Sequence, residues 1–282
     1  MHVRATTKVF GIFGHPVNHS LSPTMHNAAF KKLKLDCVYI AFDIHPKNLD
    51  SAIQAIKSLG ILGVNVTIPH KERILSFLDE TSPEVTMTGA VNTVKNENGK
   101  LTGYNTDVEG FLMAIKEDLG VIPRGLRIFL LGAGGAARAV LTGLCMNGAS
   151  EIYLVNRTLD KAKKLASEFK RCYKDISIEA YPLEDRVLVE QSLRTAELLI
   201  NASSSGMEGV ASLELRLELL PKDSIIYDLV YKPRETALLK GAKELGLKAA
   251  GGLSMLLYQG AKSFEIWTGE KAPVDVMRKS IE

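Results

Sequence analysis

Arg127-Ile128-Phe129-Leu130-Leu131-Gly132-Ala133-Gly134-Gly135-Ala136-Ala137 runs an apolar strand into a glycine-rich turn and then into a helix reaching about Met146. The short apolar run closed by glycine reads as a buried strand, and the residues after the turn have helical spacing. Downstream, the same alternation continues with a strand at Ile152 to Val155 and a helix at Leu159 to Phe169. Two further strands come at Leu198 to Asn201 and Ser224 to Leu229, then an amphipathic helix at Ser254 to Thr268. Alternating strands and helices predict a parallel α/β architecture.

Upstream, the pattern repeats with different punctuation. Lys8 to Phe13 reads as a strand ending at Gly14. A helix then opens at Ser22-Pro23 and runs to about Leu33, with Ser22 as N-cap and Pro23 at the first helical position. Cys37 to Asp43 is a second strand and Leu49 to Leu59 a helix closed by Gly60. A strand begins at Ile61 and a helix is expected from about Lys71 to Leu78. Val91 to Lys95 and Leu101 to Tyr104 flank Asn98-Gly99, a hairpin signal. A helix from Thr106 to Leu119 carries a Thr106/Glu109 capping box and is ended by Gly120 and Pro123. That stop marks a domain boundary. The division expected is residues 1–107, completed by 251–282, around a second domain of residues 108–250.

The 282 residues suit one large domain or two ordinary ones, and 46% hydrophobic with 24% charged residues is ordinary for a globular chain. A net charge of +3, with no Lys/Arg block, argues against a nucleic-acid partner. Cys37, Cys145 and Cys172 are an odd number at unrelated spacings, which predicts reduced thiols and a cytoplasmic protein, with no metal site. Met1 to Lys8 is polar and basic with no apolar run behind it, unlike a signal peptide. No segment approaches the length of a membrane span, so no membrane partner is expected.

The glycine turn has a chemical reading. A helix N-terminus offers free N–H groups and a positive dipole to a pyrophosphate, and glycine permits close backbone approach. Gly132, Ala133, Gly134, Gly135 and Ala136 form that turn, and Ala137 stands where the dinucleotide fingerprint allows glycine or alanine. The next strand ends in Asn156-Arg157-Thr158. An acid there would hold the ribose 2′-hydroxyl of NAD; a neutral Asn156 followed by the fork of Arg157 favours the 2′-phosphate of NADP.

A second polar stretch, Asn65-Val66-Thr67-Ile68-Pro69-His70-Lys71, leaves an apolar strand and stops at proline. Asn65, Thr67 and Lys71 are thereby delivered at the carboxyl end of a strand, where open α/β sheets place their ligands. Taken alone, the stretch reads equally as an edge strand with solvated polar residues. Three further clusters suit a small hydroxylated acid. Ser20 and Ser22 stand at a helix start, Asn92 comes after Ala90-Val91, and Asp107 after Gly103-Tyr104-Asn105-Thr106.

These motifs together, from Gly14 to Asn27 through Asn201 to Met207, Tyr231 to Leu239 and Gly252 to Gln259, resemble the shikimate dehydrogenase family. The resemblance covers nearly the whole chain. It implies an N-terminal α/β substrate domain with a mainly parallel sheet, a Rossmann-type NADP domain, and C-terminal helices returning to the substrate domain. It implies Lys71 and Asp107 as the catalytic pair, and Ser20 and Ser22 on the substrate carboxylate. Asn65, Thr67, Asn92, Tyr231 and Gln259 would surround the ring hydroxyls and carboxylate. The cofactor site would comprise Gly132 to Ala136, Asn156, Arg157 and Thr158, with Leu229, Gly252 and Met255 near the nicotinamide. Ser204 departs from the pattern, standing where many relatives carry proline.

The activity so implied is reversible NADPH-dependent reduction of 3-dehydroshikimate to shikimate, a step of aromatic amino-acid biosynthesis. Lys71 would donate the proton and Asp107 would hold both lysine and substrate. Shikimate oxidation is expected to quicken toward alkaline pH, because the same lysine must then lose a proton. The small-molecule substrate is the partner expected, and a homodimer is compatible with the reading. The rivals are an NAD-using quinate/shikimate dehydrogenase and a noncatalytic sensor of NADP or a shikimate-like ligand; a folate dehydrogenase shares only the two-domain design.

Overall fold

A computed structural model describes residues 3–282 of the chain, so the first two positions of the polar start lie outside the described residues. Two compact units divide it: residues up to Gly110 with Leu256–Glu282, and Phe111–Met255. Both division points fall inside helices, a few residues later than the bounds expected at 107 and 250, because a continuous helix carries no punctuation at the point where its packing partners change.

The first unit carries β1 (Lys8–Gly14), α1 (Ser22–Lys32), β2 (Cys37–Asp43), α2 (Leu49–Ser58), β3 (Gly63–Val66), β4 (Glu80–Thr81), α3 (Pro83–Thr88), β5 (Thr93–Glu97), β6 (Lys100–Tyr104) and the start of α4 (Asp107–Leu119). Its sheet order is β2-β1-β3-β5-β6-β4, with β2-β1-β3 parallel and the β3-β5-β6 meander antiparallel. β3 is therefore an interior strand with all four residues buried, and the edge-strand reading of Asn65 falls. Leu49, Ile53 and Ile56 of α2 pack with Phe13, Val64, Val66 and Val94 to form the core beneath it.

Three local expectations are corrected. Residues Arg73–Phe77 form a 3-10 turn rather than a helix from Lys71, because Pro69 and a turn at His70 consume the start. Leu21, not Ser22, is the N-cap of α1, which leaves the Ser22 hydroxyl free of capping work. The capping box also does not form. The Thr106 hydroxyl is taken by Asn92, and Glu109 pairs instead with Lys262 at 3.0 Å.

The second unit carries β7 (Arg127–Leu131), α5 (Gly135–Met146), β8 (Glu151–Asn156), α6 (Leu159–Cys172), β9 (Ser177–Pro182), α7 (Arg186–Leu193), β10 (Leu198–Asn201), β11 (Ile225–Asp228), α8 (Ala237–Glu244) and β12 (Lys248–Gly251). All neighbours in its sheet, β12-β11-β10-β7-β8-β9, are parallel. The order reverses at β7, so the β7–α5 and β10 turns sit at the switch point where such sheets bind ligands. Near-continuous apolar strands such as Ile128–Leu131 and Leu198–Ile200 are what burial on both faces demands.

α9 (Leu253–Thr268) and α10 (Val274–Ile281) complete the chain, with Leu256 onward in the first unit. There Trp267 donates its indole N–H to the Val94 carbonyl at 2.9 Å, and Phe264 packs on Phe30 with ring centroids 5.4 Å apart. Among the described residues no helix is long and apolar enough to cross a membrane.

Candidate active site

In the first unit, the exit from β3 folds as a tight turn. Thr67 N–H donates to the Phe13 carbonyl and His70 N–H to the Thr67 carbonyl, both at 2.9 Å, while Val91 N–H holds the Lys71 carbonyl at 2.8 Å. The Lys71 backbone is thus fixed on both sides, and its side chain reaches Asp107 in the first turn of α4. Nζ and Oδ2 are 2.6 Å apart, with the lysine side chain 22% and the aspartate 10% exposed. His70, in contrast, is turned inward. Its Nε2 donates to the Ile44 carbonyl at 2.7 Å and burial lowers its pKa, so it is a neutral strut.

The second oxygen of Asp107 accepts from the amide of Asn92 at 2.8 Å. That amide cannot be turned around. Thr106 N–H, which can only donate, occupies Asn92 Oδ1 at 2.8 Å, which forces Nδ2 toward Asp107. The same Nδ2 lies 3.3 Å from Gln259 Oε1, and α9 comes so close to α4 here that a Cβ at Gly110 would press on the Gln259 backbone. Asn105 Oδ1 in turn accepts the Asp107 N–H at 3.1 Å. Lys71, Asn92, Asp107 and Gln259 are therefore brought together as one constellation.

Asn65 belongs to a second layer of the same cluster. Its Oδ1 accepts from the Tyr39 hydroxyl at 2.7 Å, and its Nδ2 faces the Asn92 carbonyl, Thr93 Oγ1 and Ser263 Oγ at 3.0 to 3.1 Å. Ser263 also meets Thr93 at 2.7 Å and Thr106 at 3.3 Å. These groups are all buried, so each depends on the others for its hydrogen bonds. Tyr39, Thr93 and Ser263 carry no signal in the sequence, and Thr106 carries only that of a helix cap: a hydroxyl on an apolar helix and a tyrosine in a strand look like ordinary packing.

Ser22 is buried at the start of α1. Ser20 has a local structural role: its Oγ accepts the Ser22 N–H at 3.2 Å, shaping the entry to α1. Thr67 is half-buried at the turn before Lys71.

In the second unit, Gly132 N–H donates to the Val155 carbonyl at 2.8 Å while φ is +111°, and a Cβ there would lie 2.9 Å from the Ala202 carbonyl oxygen. Only glycine fits. α5 then starts at Gly135 with Gly134 as N-cap, and no side chain caps it. A Cβ at Gly134 or Gly135 would meet nothing within 4 Å, so the turn presents open backbone. At the end of β8, Asn156 Nδ2 donates to the Thr158 carbonyl at 2.9 Å, and Arg157 is exposed. This arrangement fits a pyrophosphate on the turn and an anion beside Arg157. Leu229 and Gly252 also meet. A Cβ at Gly252 would overlap the Leu229 carbonyl, and Met255 is buried in the same unit. Tyr231 is partly buried, which raises its pKa.

Sequence families match in three consecutive stretches. Residues 12–94 match the shikimate dehydrogenase substrate binding domain, residues 119–228 the shikimate/quinate 5-dehydrogenase family, and residues 252–282 the shikimate 5′-dehydrogenase C-terminal domain. A shikimate dehydrogenase (NADP(+)) of Methanopyrus kandleri is 47% identical over 99% of this chain and 96% of its own. The chain belongs to the shikimate dehydrogenase family. Among solved structures, shikimate 5-dehydrogenase of Thermus thermophilus in complex with NADP(H) and shikimate superposes with a TM-score of 0.86 at 40% identity, over 97% of this chain and 98% of that one. Shikimate 5-dehydrogenase of Listeria monocytogenes in complex with shikimate and NAD gives 0.92 at 37% identity, over 100% and 99%. The two-domain, Rossmann-type architecture expected from the resemblance is thereby established.

Proposed function

We propose that this shikimate dehydrogenase family member catalyses the reversible NADP-dependent interconversion of 3-dehydroshikimate and shikimate. One observation carries the reading: the Lys71–Asp107 ion pair at 2.6 Å, partly open to solvent, whose carboxylate is oriented by an amide that cannot flip. NADPH, when bound, supplies the hydride to the ketone carbon. Lys71 then gives its proton to the developing alkoxide, and Asp107 holds the ammonium in line for that transfer. A hydride and a proton added to the ketone give the alcohol, and the lysine regains its proton from solvent through its exposed side.

Asn92 and Gln259, beside Asp107, and Tyr231 are assigned to the ring hydroxyls and carboxylate; Ser20 and Ser22, at the start of α1, to the substrate carboxylate. Asn65 and Thr67 complete the substrate set. Residues 1–107 with 251–282 serve as the substrate domain and residues 108–250 as the NADP domain. Gly132 to Ala136 take the pyrophosphate, Asn156, Arg157 and Thr158 the adenosine phosphate, and Leu229, Gly252 and Met255 the nicotinamide. NADP is favoured over NAD because Arg157 has no acidic neighbour at the strand end. A cytoplasmic setting is supported by the three irregularly spaced cysteines.

The test is absorbance at 340 nm with shikimate or quinate, each with NADP+ or NAD+. Turnover of shikimate with NADP+ exceeding the other three combinations is expected. Preferred turnover of quinate with NAD+ would favour the rival dehydrogenase, and no turnover with any pair would favour a sensor.

A further inference from the structure

Asp228, at the carboxyl end of β11, is fully buried and none of the roles above uses it. Its Oδ1 accepts from Asn201 Nδ2 at 2.8 Å and Val230 N–H at 3.1 Å, and its Oδ2 accepts from Thr236 Oγ1 at 2.6 Å. The direction of each bond is determined. Thr236 Oγ1 already accepts the Leu239 N–H at 3.3 Å, so its proton is free to go to the carboxylate. Asn201 Oδ1 accepts both the N–H and the hydroxyl of Ser203, at 3.1 and 2.7 Å, which leaves only its Nδ2 for Asp228.

The chain of bonds continues outward in the same sense. Ser203 Oγ accepts from Ser205 N–H at 3.1 Å, and Ser205 Oγ accepts from Leu213 N–H at 2.7 Å. Two runs of donors, one from the start of α8 and one from the loop after β10, thus end on a single carboxylate. A small cavity lies among Asn201, Ser205, Asp228 and Thr236, with Leu131 and Leu213 on its wall.

We propose that Asp228 is a positioning residue that acts as the common acceptor fixing the loops 202–213 and 229–236, and through them Leu229 and Tyr231. Leu229 is next to Asp228 in the chain, and its N–H donates to the Asn201 carbonyl at 2.9 Å, so the same asparagine holds Leu229 through its carbonyl and Asp228 through its amide. Ser204 lies inside the first loop, between the hydrogen-bonded Ser203 and Ser205. The inference rests on the reading of this unit as the NADP domain.

The test uses the full-length protein, calorimetric titration with NADP+, and turnover at saturating NADP+ and shikimate. In Asp228→Asn an amide N–H₂ must face at least one of the three donors, which leaves a buried hydrogen bond unmade. We expect kcat to fall about tenfold and the NADP+ dissociation constant to rise several-fold, with the melting midpoint still above the assay temperature. Thr236→Val removes one donor and moves both values the same way, whereas Thr236→Ser restores them toward wild type. If Asp228→Asn does not fold, the Thr236 pair decides. A folded Asp228→Asn, or a Thr236→Val indistinguishable from Thr236→Ser, with kcat and NADP+ affinity within about twofold of wild type overturns the inference. Failure of the wild-type protein to bind NADP+ overturns instead the functional reading on which it rests.

Discussion

Around Asp107, side chains from β3, β5, α4 and α9 pin one carboxylate and two amides, with Thr106 N–H, Tyr39 and Ser263 fixing the orientation of each. Around Gly132, by contrast, almost no side chain takes part, and the turn offers bare backbone at the uncapped start of α5. The first region presents fixed functional groups whose orientation is supplied by buried neighbours. The second presents backbone, and the absence of side chains leaves its N–H groups and the helix dipole accessible. Substitutions should therefore fail differently in the two places: by lost chemistry or lost orientation in the first, by added bulk in the second.

Lys71→Ala gives the largest contrast. It should lower kcat by about a thousandfold while KM for shikimate moves much less, because the proton is needed in the transition state. Steady-state rates at 340 nm check this, and a loss confined to KM would make Lys71 a binding residue only.

In the glycine turn two neighbouring substitutions should separate fold from function. Gly134→Ala has room in the protein itself, so the melting midpoint should hold while KM for NADP+ rises about tenfold from lost backbone approach. Gly132→Ala must adopt φ +111° against the Ala202 carbonyl and should cost about 3 kcal/mol of stability. Denaturant melts beside cofactor titrations distinguish them; equal stability losses would abolish the contrast.

Acid should act selectively on the first unit. His26 is wholly buried, stacked on Tyr39 with centroids 4.4 Å apart, and neither ring nitrogen has a partner. Burial lowers its pKa to about 3. The folded form stays neutral while an unfolded chain protonates below an ordinary pKa of about 6.5, so the contribution is intact above that pH and is lost as pH falls toward 3. At pH 5 the loss is about 2 kcal/mol. Trp267, the chain's single tryptophan, lies 5.4 Å from His26 and reports on this unit. Unfolding monitored by its fluorescence at pH 7 and pH 5 should show the difference, and His26→Phe should flatten it. An unchanged pH slope in that variant would point to other groups.

The smallest effect expected is that of Ser263→Ala. Asn65 and Thr93 each lose a buried partner, at a cost of about 1 to 2 kcal/mol, and KM for shikimate should rise a few-fold with kcat nearly kept. A drop in kcat as large as that of Lys71→Ala would mean that the hydroxyl layer participates in the chemistry.

Strand and helix periodicity, the glycine and proline stops, and the motifs at Asn65–Lys71, Asn92, Asp107 and Gly132–Ala137 were all legible along the chain, since each depends on local spacing. The little-buried pieces were not: β4 is two exposed residues, β9 is an edge strand with only Ile178 buried, and Arg73–Phe77 is a 3-10 turn with only Ile74 buried. Such segments bury too little to leave a periodic pattern.

The amino-acid sequence by itself determined the α/β class and the glycine turn, and it placed Lys71 after a strand end and Asp107 at a helix start, because strand and helix punctuation is local. Only the tertiary structure decided which way the Asn92 amide faces, that β3 is interior, that Ser20 shapes the turn into α1, and that Tyr39, Ser263 and Asp228 hold other residues in place. Asn65 and Ser263 are 198 positions apart, and the contact between them is set by packing of α9 on the sheet rather than by any spacing in the chain. A buried hydroxyl or carboxylate takes its role from the donors and acceptors that folding brings to it, and those are chosen in space.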